Sequence, residues 1–294
     1  MSDLNSPVAT VASAVPQGFR GLQLLAVTDG IETWHVERNG KGGQYLLRQP
    51  TVRCSRETTR QAIEELQREL HLTRMASSPY VRRAVHAELN QSRCYLLSDW
   101  LEGTTLEAHL SRSMGFDWKR SLWMARQCAS GLADLQAAGF EHRAIAASQV
   151  WLTPEGRALW FDLRHIVDRS LPAEVADPRV ASSDPNLLVY LPPEALVGDA
   201  RRPVFEDMYS LGVLLYRIFT GKLPFVATTR EMLTRLVRSS SVPGVCSQNP
   251  RLPAQLDRLV QSMMAKQPLR RPTHFSDVVA ELIPLALESI LSAV

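Results

Sequence analysis

Lysine is scarce in this chain. It occurs only at Lys41, Lys119, Lys222 and Lys266, so arginine supplies most of the 33 basic residues. Chemistry that depends on a lysine at a set position has few places to draw one from. Cysteine is sparse as well. Cys54, Cys94, Cys128 and Cys246 are widely scattered, with no C-x-x-C pair and no matching His spacing. That pattern argues against a disulfide framework or a zinc site and predicts free thiols in a reducing compartment. No apolar run approaches a membrane span. A basic n-region followed by a long apolar stretch, the mark of a secretory signal, is also missing, so the expected location is the cytoplasm. A net charge of +3 over 294 residues is too small to imply a nucleic-acid or membrane partner. Internal repeats and low-complexity segments are lacking throughout.

What is present has the length for one large domain or two lobes with a substantial core. Residues 1–18, rich in Ser, Ala, Val and Pro, read as a flexible tail, with a partner-binding segment as the lesser alternative. Strand-like alternation follows in Leu22–Val27, Glu32–Glu37 and Gln44–Arg48. The Asn39–Gly43 turn joins the last two as a hairpin. Arg56 to Met75 has helical periodicity, with Ile63, Leu66, Leu70 and Thr73 on its apolar-leaning face. Cys94–Gly103 reads as a strand and linker, and Thr105 opens a helix. A longer helix over Leu122 onward ends at Gly139, a proper C-terminal signal. Residues 139–164 then give a polar loop around His142 and Arg143, a short apolar strand, a Pro-Glu-Gly turn, a second strand and Asp162. Further on stand Tyr190-Leu-Pro-Pro-Glu194, Asp207-Met-Tyr-Ser-Leu-Gly212, and Arg271-Pro272-Thr273. Ser276 to Leu282 continues as a helix, and Pro284 is expected to break it.

In order and spacing these motifs resemble the eukaryotic-type Ser/Thr protein kinases across residues 20–283. The resemblance implies an α+β, bilobal protein-kinase-like fold, with a β-rich N-lobe carrying helix C and a mainly α-helical C-lobe. It places an N-lobe at 19–98, a hinge at 99–103 and a C-lobe at 104–285, within a domain of 19–285, and leaves 286–294 as a C-terminal tail. The Arg-rich style is of a bacterial kind.

The same resemblance exposes what has been replaced. Ala144 stands where the family has its catalytic Asp, and Ala146 where a loop Lys neutralises the transferring phosphoryl group. Gln149 takes the place of the metal-binding Asn, and Asp162-Leu163-Arg164 replaces Asp-Phe-Gly. Arg48 replaces the strand Lys, keeping charge but not ammonium geometry. The family's phosphate-gripping glycines fall near Ala26, Thr28 and Ile31, and Gly30 alone survives, as a turn residue. Leu46 sits where a small Ala packs on adenine. Glu69 matches the helix-C Glu that would pair with Arg48; the alternative is a solvated helix acid. Ser98 takes the gatekeeper position, and Asp99 and Leu101 the hinge contacts to a nucleotide. Architectural roles are implied for a Glu194–Arg271 ion pair and for Asp207, bonded to the His142–Arg143 backbone. Ser182 and Ser183, in a loop matching the activation segment, read as ordinary loop serines or as phosphorylation sites.

Two function classes follow. The first is a pseudokinase that scaffolds or regulates a protein partner, such as a kinase, a phosphatase or a component of a signalling or secretion assembly. The second is an atypical ATP-dependent Ser/Thr kinase or related nucleotidyl or phosphoryl transferase. There Asp162, with Gln149, would hold magnesium and Arg48 the phosphates of ATP. A nucleotide sensor without turnover is a third possibility. ATP and Mg2+ are expected only under the last two.

Overall fold

The computed structural model describes residues 15–28, 30–40, 42–51, 55–90, 93–112, 117–163, 165–170, 185–197 and 203–291. These fall into two compact units. The first takes in the chain up to Arg74 together with Arg83–Leu101; the second takes Met75–Arg82 and Glu102 onward.

The first unit is a five-stranded sheet backed by one long helix. Strands β1 (Phe19–Thr28), β2 (Ile31–Arg38), β3 (Gln44–Pro50), β4 (Ala84–Leu89) and β5 (Cys94–Asp99) lie in the order β1-β2-β3-β5-β4, each neighbouring pair antiparallel. The first two strands close with Thr28 opposite Ile31. Gly30 sits in that turn at a φ of 79°, which only a residue without Cβ adopts at no steric cost. The helix α1 runs Arg56–Met75, and its Ala62 and Leu66 bury against Ile31 and Leu96. Its buried stripe is Ala62, Leu66, Glu69, Leu72 and Thr73, so the face is turned from the expected one and Ile63 and Leu70 are only half-buried. The cause is Glu69, which the helix turns inward to meet Arg48. On the other side of the sheet Trp34, Val36, Leu47, Tyr95 and Leu97 form a second cluster. Val15, Phe19 and Tyr45 pack on it, and the Phe19 amide donates to the Pro16 carbonyl. Of the stretch expected as a tail over 1–18, residues 1–14 lie outside the described residues, and Val15 packs on this cluster.

The second unit is mainly helical. A three-stranded sheet of β6 (Thr104–Thr105), β8 (Val150–Leu152) and β9 (Ala158–Trp160) has the order β6-β8-β9. A two-stranded ribbon joins β7 (Phe140–Glu141) to β10 (Val167–Asp168). Around them stand α2 (Leu106–Arg112), α3 (Trp118–Ala137), α4 (Pro185–Leu188), α5 (Pro193–Val197), α6 (Pro203–Thr220), α7 (Arg230–Ser239), α8 (Val245–Gln248), α9 (Gln255–Met263) and α10 (Phe275–Leu291). Helix α3 starts earlier than expected because Asp117 caps it, accepting the Lys119 amide. Helix α6 is apolar almost all round, with Met208, Tyr209, Leu211, Val213, Leu214, Leu215, Ile218 and Phe219 buried; a helix of that kind belongs in a core.

Two expectations change here. Pro284 does not end the last helix, which continues to Leu291 and buries Leu285, Ala286 and Ser289, so part of the expected 286–294 tail is packed. Pro284 lies on the exposed side, where the carbonyl it leaves unpaired can be hydrated. Ser182 and Ser183 lie outside the described residues. Of the cysteines, Cys94, Cys128 and Cys246 are free thiols, and burial pushes Cys128 up to about 12.

Candidate functional site

Within the first unit the residues singled out from the sequence gather on one side of the sheet. Register puts Leu46 opposite Ser98 and Arg48 opposite Leu96, the same side on which Leu96 meets α1. There Arg48 donates to Glu69 in a buried ion pair, the two residues being 5% and 2% exposed. The α1 acid is thus a clamp on the sheet and not a solvated charge. Leu46 and Ser98 are buried, Leu101 is half-buried and Asp99 is exposed. Ile31 is 1% exposed and holds sheet to helix with its side chain.

Two features of this unit escaped the sequence. His35, opposite Leu46, stacks on Trp100 with ring centroids 3.6 Å apart and planes 9° from parallel. The pair covers the sheet beside Leu46 with a flat aromatic surface. Glu32, which alternation treats as an ordinary polar strand residue, is buried. Its carboxylate accepts from Trp34 Nε1 at 2.9 Å, Gln49 Nε2 at 3.0 Å and Thr51 Oγ1 at 2.8 Å. A signal existed in the parity, since Glu32, Trp34, Gln49 and Thr51 all fall on one face once β2 and β3 are paired.

In the second unit the loop after α3 is held from below. Asp207, 1% exposed near the start of α6, accepts from the His142 amide at 2.8 Å and from the Arg143 amide at 3.0 Å. Arg143 adopts a φ of 59°, a left-handed conformation rare for a residue with Cβ, and its guanidinium reaches Glu141 at 3.1 Å. This strained turn presents Ala144, then Ile145, Ala146 and Ala147, all at most 1% exposed. This loop turns methyl groups into a packed interior. A 3-10 turn over Ala147–Gln149 follows. Gln149 is 4% exposed, and its Oε1 is buried with no hydrogen-bond partner, while its Nε2 approaches Ser148 Oγ at 3.4 Å. The Phe161 amide donates to the Gln149 carbonyl, which places the half-buried Asp162 one residue beyond.

The donor set does not make a good magnesium site. That ion keeps several waters and favours carboxylates and phosphates in octahedral geometry. Here one buried amide oxygen and one carboxylate remain, and among the described residues no group of three or more His, Cys, Asp or Glu is placed to hold a metal.

Two further ion pairs tie the helical unit together. Arg271 donates to both oxygens of Glu194, at 2.5 and 2.9 Å, and caps the Phe205 carbonyl at 2.8 Å. Arg217 joins Glu107 at 2.5 and 2.7 Å and the Tyr190 hydroxyl at 3.0 Å, fastening α2 to α6. Loop, buried Asp, Glu–Arg pair and helix order occur together, and the model of the protein tyrosine and serine/threonine kinase family matches residues 49–282. The chain belongs to that family.

Among its relatives is a probable serine/threonine-protein kinase of Bifidobacterium longum, pknA2. It is 24% identical over 236 residues, covering 79% of this chain and 30% of the relative. Sperm motility kinase 2A of Mus musculus is 28% identical over 211 residues, or 71% of this chain and 39% of that protein. The serine/threonine-protein kinase PknK of Mycobacterium bovis is 26% identical over 292 residues, or 96% of this chain and 25% of the relative. The chain thus spans 25% to 39% of the length of these kinases. Among the described residues no helix is long and apolar enough to cross a membrane.

Proposed function

We propose that this Ser/Thr kinase-like domain is catalytically impaired and works as a regulatory or scaffolding pseudokinase. Its partner is a protein: a kinase, a phosphatase or a component of a signalling or secretion assembly. The reading rests on Ala144. The loop around it is pinned by Asp207 as a working loop would be, yet the residue it presents is a methyl group at 1% exposure. Phosphoryl transfer depends on positioned charge at several points, and positioning without the groups to be positioned supplies little. Ala146 removes a cation, Ile31 and Leu46 fill space a nucleotide would use, and Gln149 buries the oxygen that would meet a metal. Losses at several parts of one device favour lost activity over a slowed enzyme.

A second reading, an atypical ATP-dependent Ser/Thr kinase, is favoured by one observation: Arg48 and Glu69 still form the buried pair. In it Arg48 would face the phosphates and Asp162 the metal. Transfer of labelled phosphate from magnesium-ATP to casein separates the readings. The pseudokinase predicts no transfer above that of Asp162→Asn. Transfer by the wild-type chain that Asp162→Asn abolishes would overturn it.

A further inference from the structure

A second feature of the helical unit lies away from the loop just described. Along α3, Lys119, Trp123 and Arg126 share a face by their spacing of four and three, and Arg120 borders it. Trp123 is 44% exposed. The Arg126 guanidinium lies 4.2 Å from the Trp123 ring centroid and 5.8 Å from that of Tyr80, and it donates to the Tyr80 hydroxyl at 3.3 Å. It is therefore held between two aromatic rings, while its Nε is buried without a hydrogen-bond partner. Lys119 lies 5.6 Å from the Trp118 ring. The turn over 153–157 borders the same face, with Gln127 donating to the Gly156 carbonyl at 3.1 Å and Arg120 lying against Gly156.

Basic groups predominate around Trp123 and Arg126. Lys119, Arg120, Arg126 and Arg157 are basic. His109 on α2 is held below its ordinary range by burial and by Arg120. Acids bordering this face include Asp117, engaged at the α3 cap, Glu155, whose carboxyl is lowered by a hydrogen bond from Thr153 and by its own backbone amide, and Asp134, three turns further along α3. A guanidinium fixed by stacking loses little freedom when a carboxylate arrives, and Trp, Tyr and Arg are the residues that most often anchor protein interfaces.

We propose that this face of α3 docks an acidic peptide segment of a partner protein, a carboxylate seated on Arg126 and an apolar side chain laid on Trp123. The proposal deepens the partner-binding reading above and rests on it only in requiring a protein partner. Charge complementarity names the occupant: the anchor is apolar and aromatic, and the groups around it are cationic.

The test uses the full chain and a fluorescein-labelled peptide of sequence Glu-Asp-Leu-Glu-Asp-Leu, with a counterpart in which Lys replaces each acid. Anisotropy is read for the wild type, Trp123→Ala, Arg126→Gln and Arg235→Gln, the last on the distant helix α7. The acidic peptide should bind and the basic one should not. Trp123→Ala and Arg126→Gln should each weaken binding by about tenfold or more, Arg235→Gln should leave it unchanged, and added salt should weaken it. Unchanged melting curves show that the variants fold; should Trp123→Ala not fold, Arg126→Gln carries the test alone. Absence of binding at millimolar peptide, equal binding by Arg126→Gln, or tighter binding of a single-stranded RNA of equal charge would overturn the proposal. Its failure with no ATP turnover leaves the scaffold reading standing with another surface. Docking together with Asp162-dependent turnover removes the pseudokinase and keeps the surface.

Discussion

Arg48 on β3 and Glu69 on α1 form an ion pair with both partners almost wholly out of water. Such a pair is a weak source of net stability, yet removing one partner strands the other charge in a dry interior, at a cost of about 3–5 kcal/mol. Glu69→Leu and Arg48→Met singly should each lower the unfolding free energy by about that much. The double variant should recover most of the loss. Denaturant unfolding of all four proteins measures the coupling; a double variant as unstable as the sum of the singles would show that the residues do not act as a pair.

Asp207 offers a different kind of support, two charge-assisted hydrogen bonds to successive amides. These are the bonds that keep Arg143 in its left-handed turn. Asp207→Ala should destabilise the helical unit by about 3–6 kcal/mol, since bonds to an ionised group contribute about 1.5–3 kcal/mol each. Hydrogen exchange should show the amides of His142 and Arg143 losing protection before the rest.

Gly103 has a φ of 142°, and a Cβ there would run into the Leu152 carbonyl oxygen and the Trp151 indole nitrogen. Neither obstacle is the flexible end of a side chain. Gly103→Ala should therefore cost about 1–3 kcal/mol or more, from strain and crowding together. A thermal midpoint within a degree of wild type would contradict the assigned conformation.

Lys266 donates to the Val237 carbonyl and lies 4.6 Å from the Phe225 ring. Burial, aided by Arg271, lowers its pKa from an ordinary 10.5 to about 8. Between those values the unfolded chain holds the proton and the folded chain has released it. Stability contributed by this position therefore rises with pH across that window and is least below pH 8. The stability of wild type relative to Lys266→Met should increase from about pH 8 to about pH 10.5. A flat difference curve would mean that folding leaves this amine's titration unchanged.

The sequence makes the architecture readable because architecture is recorded in short-range pattern. The α1 boundaries, the Glu194–Arg271 pair and the Asp207 contact all follow from motifs at fixed spacing, and the structure contains them. Less legible are features that depend on what lies across the sheet. Glu32 looks like any polar strand residue until β3 supplies Gln49 and Thr51. His35 and Trp100 are distant in the chain and meet only when β3 lies alongside the segment after β5, the Trp100 amide donating to the Gln44 carbonyl. Pro284 misled for a related reason: a local breaker is tolerated when tertiary packing buries the residues after it, as Leu285 and Ala286 are buried here.

The most direct measurement of the central claim is the thermal unfolding midpoint of the chain with and without ATP, across a series of magnesium concentrations. A ligand bound at about 100 times its dissociation constant adds about 2.7 kcal/mol, a rise of several degrees in a domain of this size. The pseudokinase proposed above predicts no shift at millimolar ATP. A magnesium-dependent rise that disappears in Asp162→Asn would contradict it and establish a working nucleotide site.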